Sequence, residues 1–186
     1  MNKFSQTGFS LIEMIVVLGI SVLLVAVFIG FSNQNTISFI ISGERERLIN
    51  NFNEAKNLAL QTFINDITNQ KVCGYGIHIA ADLKSYTLFR DLPIPKSGEC
   101  VVAGAYTGNR YYDVGDSDEL VGLFNLPNNI SFDSPLTSNV FFLPPIPQIV
   151  FTPDIVGNDT DFDLRTNDNN YVFGVRVTRA GQSAKN

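Results

Sequence analysis

Few residues in this chain have the type and spacing to do chemistry. The single histidine, His78, falls inside an alternating apolar and polar stretch, where a structural role is expected before that of a base or ligand. Asp159, Asp161 and Asp163 alternate like the opening of a calcium loop, but Leu164 replaces the required glycine and Asn170 the closing glutamate, so an EF-hand is excluded. A second acidic cluster, Asp113, Asp116, Asp118 and Glu119, reads as a solvated turn, with a loop-bound calcium as the alternative. No nucleophile elbow, phosphate loop or Cys/His metal spacing is present, so the chain is expected to be no enzyme and to need no metal or cofactor. Cys73 and Cys100 are the only cysteines. An oxidising compartment would permit a disulfide between them, although two reduced thiols give the same sequence.

The most informative group is Glu13, in "GFSLIE" (Gly8 to Glu13), because the residues after it, Met14 to Phe31, contain no Asp, Glu, Lys or Arg. That run is close to the ~20 residues needed to cross a bilayer as a helix. An ionised carboxylate within hydrocarbon costs about 3 kcal/mol at a helix centre and less near an end, so it needs a partner. No Lys or Arg lies between Phe9 and Phe39. Two plain readings remain for Glu13: a solvated acid at the membrane surface, or an acid in a first helical turn favoured by the helix dipole.

Elements that would position these groups follow from hydrophobic period. Leu48, Phe52, Ala55, Ala59, Phe63 and Ile67 form one apolar stripe, with Glu46, Asn50, Asn53, Asn57 and Gln61 opposite, which predicts an amphipathic helix. No proline occurs before Pro93, so the helix can run from Phe9 to Asn69, about 90 Å at ~1.5 Å per residue, with Gly19, Gly30 and Gly43 as its weak points. After Cys73 the period shortens to two. Residues 75–79 and 85–90 predict a hairpin, and further strands are expected at 100–102, 120–124, 129–132, 139–142, 149–151, 160–164 and 171–178. The fold class is therefore α+β: a long N-terminal helix, apolar in its first half and amphipathic in its second, packed on an antiparallel β-rich head. The net charge of −5 with 45% hydrophobic residues fits a folded protein and argues against a nucleic-acid partner.

"GFSLIEMIVVLGI", after the short leader "MNKFSQTG", resembles the N-terminus of the type IV pilins and type II secretion pseudopilins. The resemblance implies a pilin-like fold divided into a leader (1–8), a transmembrane helix (9–31), its amphipathic continuation (32–69) and the head (70–186). It implies cleavage by prepilin peptidase between Gly8 and Phe9, N-methylation of Phe9, and Glu13 as the carboxylate that guides filament assembly. Implied partners are other pilin or pseudopilin subunits, an inner-membrane assembly platform, and membrane lipid before assembly. The implied location is a single-pass inner-membrane precursor with an extracytoplasmic head, then an envelope or surface filament. The order "LAL", "GYGI", "SYTLFRD", "IVFTP" and a terminal "RAGQ" is similar to H-type minor pseudopilins and FimT-type minor pilins. Some of the latter bind DNA through C-terminal arginines, which draws attention to Arg176 and Arg179. Arg176 alternates with Val175 and Val177, though, as on the solvent side of a strand. The competing class is a membrane-tethered extracytoplasmic binding or enzymatic domain that never assembles.

Overall fold

The computed structural model describes residues 10–62, 71–94, 98–115, 119–133, 135, 137–144, 148–153, 159–179 and 182–185. One helix, α1 (Leu11–Thr62), precedes eleven strands: β1 (Gly74–Ile79), β2 (Ser85–Asp91), β3 (Val101–Val102), β4 (Ala105–Tyr106), β5 (Leu120–Asn125), β6 (Ile130–Phe132), β7 (Asn139–Leu143), β8 (Gln148–Thr152), β9 (Asp159–Thr166), β10 (Val172–Thr178) and β11 (Ser183–Lys185). This is the expected α+β order. Of the predicted stripe, Leu48, Phe52, Ala55 and Ala59 are all buried, while Phe63 and Ile67 lie outside the described residues. Every predicted strand is present. The two-residue β4 and the C-terminal β11 were not foreseen, because neither is long enough to show an alternating pattern.

The chain divides into two compact units, Met1–Ile40 and Ile41–Asn186. In the first, α1 is apolar on all sides, and its residues Leu11 to Ile29 are exposed throughout. In the second, the rest of α1 joins two antiparallel sheets in one core. The five-stranded sheet has the order β5-β2-β1-β7-β8, and the four-stranded sheet β11-β10-β9-β6. Ile41, Leu48, Phe52, Ala55 and Ala59 pack with Ile77, Tyr86, Leu88, Val140 and Phe151 of one sheet and with Phe132, Phe162, Leu164 and Val175 of the other. One polar contact crosses this core, where the Asn51 side-chain amide donates to the Tyr86 hydroxyl at 2.9 Å. Burial pushes the Tyr86 phenol up to about 12, the Asn51 hydrogen bond pulling the other way.

A second, smaller apolar layer covers the opposite face of the five-stranded sheet. Phe89 and Phe141 lie 6.2 Å apart there, with Tyr106 and Tyr112 of the β2–β5 connection packed against them. The glycines beside Tyr75 belong to the strand and not to a turn. Both are buried within β1, and a Cβ on Gly76 would stand 2.7 Å from the Phe89 ring and 2.7 Å from the Val140 carbonyl. They are glycines because the aromatic rings lie flat over the strand. The connection itself is fastened by the Cys73–Cys100 disulfide, whose Cα atoms are 5.1 Å apart.

Candidate functional site

The N-terminal segment is the first candidate. Helix α1 starts where the Ser10 carbonyl accepts the Glu13 amide at 3.0 Å and the Met14 amide at 3.3 Å. Ser10 and Glu13 thus have the Ser-x-x-Glu spacing of a capping box, so Glu13 has a local reason to occupy the first turn. Its carboxylate has no hydrogen-bond or ion-pair partner among the described residues. The segment from Leu11 to Ile29 reaches a mean hydropathy of 2.9, long and apolar enough to cross a bilayer. Ser21, a hydroxyl within that run, donates to the Val17 carbonyl at 2.8 Å and so needs nothing from a lipid environment. Glu13 is then the one polar side chain of the apolar run whose needs the described residues do not meet. Gly8 and Phe9 lie outside the described residues.

The head offers other candidates, and the structure sorts them. Arg176 projects from the exposed side of β10 and makes a two-pronged contact to Asp161, Nε and Nη2 each 2.9 Å from a carboxylate oxygen, with Asp159 3.7 Å away. Its hydrogen bonds hold the Asp161 carboxyl below the usual carboxylate range, while burial and the neighbouring Asp161 and Asp133 raise that of Asp163. The acidic series on β9 is therefore an ion-pair partner for β10, and the field around Arg176 is unfavourable to a phosphate. Arg179 sits elsewhere, its guanidinium 5.6 Å from the centre of the Phe151 ring. The two arginines have different partners. His78 faces Asn139 and Tyr112 beneath the β2–β5 connection. Glu119 is buried and its carboxylate accepts the Asp113 amide at 3.0 Å, while Asp116 and Asp118 lie outside the described residues.

Asp91 went unnoticed in the sequence. At the end of β2 it is fully buried, and its Oδ2 accepts the Tyr106 hydroxyl at 2.6 Å and the Arg110 amide at 3.1 Å. Burial pushes its carboxyl up against the opposing pull of these hydrogen bonds, and burial together with the Asp91 charge pushes the Tyr106 phenol up as well. The terminal Asp of "SYTLFRD" gave no sign of this, since its partners are 15 and 19 residues away. The pair clamps the connection onto the sheet.

Among known protein families, the prokaryotic N-terminal methylation motif matches the chain over residues 3–29. That stretch includes Gly8, Phe9, Glu13 and the apolar run. No curated protein and no solved structure matches.

Proposed function

We propose that the chain is a filament subunit of the type IV pilin and pseudopilin kind, made as a membrane-inserted precursor and assembled through its apolar N-terminal helix. What carries this reading is the unpartnered Glu13 carboxylate at the head of a 19-residue apolar helix, inside the segment that matches the methylation motif. In the proposed sequence of events, prepilin peptidase cuts after Gly8 and the new Phe9 amine is methylated, which keeps its positive charge. That ammonium, on a neighbouring subunit, supplies the partner that Glu13 does not find among the described residues. At ~4 Å and an effective dielectric near 20 the attraction is roughly 4 kcal/mol before desolvation is subtracted, so the net gain in stability is small. The larger effect is registry: of all axial offsets between interchangeable apolar helices, only those that bring an amine to the buried acid are tolerated.

The mixed α+β head and the motif order along α1, β1, β2 and β8 fit a minor pilin or minor pseudopilin, whose head faces the extracytoplasmic side and whose assembly runs through an inner-membrane platform. The disulfide agrees with an oxidising location for the head.

Substitution at Glu13 separates assembly from capping. Glutamine serves a capping box as glutamate does, but carries no charge. Glu13→Gln, produced beside wild-type subunits, is expected to insert in the membrane normally and to be excluded from filaments, as are Glu13→Ala and Glu13→Leu. Normal incorporation of Glu13→Gln would reduce Glu13 to a helix cap and overturn the assembly role.

A further inference from the structure

The two sheets of the head have four outer strands, and three of them are blunted. On β5 the register against β2 slips between Leu88 and Phe89, leaving Val121 as a bulge. The β11 strand is short and tied back to α1 through Lys185–Glu46 and Ser183–Asn53. Along β6, the Phe132 amide is taken by the Leu83 carbonyl. Such devices keep edges from pairing with other chains. Among the described residues the β8 edge shows no register slip and no such tie. It pairs in unbroken register with β7 on one side, and among the described residues no strand pairs with the other.

A groove of about 550 Å³ runs along this open edge. It is lined by Val150 to Pro153 of β8 and its end, by Asn109 to Tyr111 of the β2–β5 connection, and by Arg179. No Asp or Glu lines it among the described residues, although the chain has 18 acidic residues to 13 basic. Arg110 is held in place: its backbone takes φ 64°, a left-handed conformation that costs a side-chain-bearing residue energy, and the buried Asp91 carboxylate holds it there through the Arg110 amide. The Arg110 guanidinium lies 4.7 Å from the centre of the Tyr106 ring, which limits its freedom before anything binds.

We propose that this groove receives an extended, carboxylate-bearing peptide segment of a partner protein, which adds to the β8 edge as a further strand and presents acidic side chains to Arg110. Backbone pairing with β8 supplies affinity, and the Arg110 guanidinium selects acidic over basic sequences. At ~3.3 Å per residue, β8 offers a seat for roughly five residues. The groups involved all belong to the head, so this inference stands or falls separately from the filament reading.

The test uses the full-length protein in detergent micelles and three fluorescein-labelled hexapeptides, followed by fluorescence anisotropy. One peptide alternates Val and Glu, one alternates Val and Lys, and one is the Val–Glu peptide with every backbone amide N-methylated so that neither of its edges can donate to a sheet. Saturable binding of the first, at least about tenfold weaker binding of the other two, and a loss of about tenfold in Arg110→Ala are expected. Arg176→Ala serves as a control that leaves binding unchanged. Equal binding of the N-methylated peptide would show that the edge is not used, and equal binding by Arg110→Ala that the charge is not; either overturns the proposal. So does failure of the Val–Glu peptide to bind, including the case where Arg110→Ala alters the sedimentation of the protein alone, which would assign the groove to a second copy of this chain.

Discussion

Tyr86→Phe probes the contact that joins α1 to the five-stranded sheet, and its effect should shrink as pH rises. At pH 7 the variant loses the Asn51 to Tyr86 hydrogen bond and leaves a buried side-chain amide without its acceptor, which costs about 1–3 kcal/mol. Alkaline solution narrows this gap. An unfolded tyrosine ionises near pH 10, whereas burial holds the folded Tyr86 protonated to about 12. Because the folded pKa is raised, the stabilisation is complete below pH 10 and is lost as pH rises toward 12. Within that window the folded wild-type protein binds the proton that the unfolded chain releases, so its stability falls by about 1.4 kcal/mol per pH unit from this group alone. Phenylalanine has nothing to ionise. The stability difference between the two proteins should therefore shrink above pH 10, by about 2 kcal/mol at pH 12. Urea unfolding of the full-length proteins in micelles, followed by circular dichroism at a series of pH values, measures it directly. Tyr106 and the other tyrosines contribute equally to both proteins and cancel. Parallel stability curves from pH 8 to 12 would refute the argument that Tyr86 is held neutral by burial.

Replacing Cys73 and Cys100 by alanine should destabilise the head by about 3–4 kcal/mol on the loop-entropy estimate for a separation of 27 residues, read from the shift in urea midpoint relative to the oxidised protein. Gly76→Ala should cost about 1–3 kcal/mol, because the added methyl meets the Phe89 ring and the Val140 carbonyl together; an unchanged midpoint would mean that the rings do not lie over β1 as described. The wild-type protein should give no retardation of double-stranded DNA in a gel shift at physiological salt, since Arg176 is engaged by Asp161 and Asp159; retardation abolished by the Arg176/Arg179 double alanine would contradict this.

What the sequence showed well was what repeats. The four- and three-residue spacing of Leu48, Phe52, Ala55 and Ala59, and the alternation of residues such as Thr160 to Thr166, mark faces that one core must cover, and the structure buries them together. What it hid depends on pairs far apart in the chain. Asn51 meets Tyr86 across 35 residues and Asp91 meets Tyr106 across 15, and neither member of either pair is unusual where it stands. The need for Gly74 and Gly76 was hidden for the same reason, since the rings that require them come from β2 and β7. The Arg110 groove was equally invisible, assembled from a loop, an edge strand and the end of β10. At the N-terminus the position is reversed. There the residue order of "GFSLIE" is itself the signal, and the structure adds that Glu13 finds no partner among the described residues while Ser21 is satisfied within its own helix.

The central claim, that removal of a leader creates the cation which the Glu13 carboxylate requires, is tested most directly by intact and peptide mass spectrometry of the protein from assembled filaments. The account predicts a chain that begins at Phe9 and is heavier there by one methyl group. A chain that retains residues 1–8, or one that begins beyond Glu13, would contradict it.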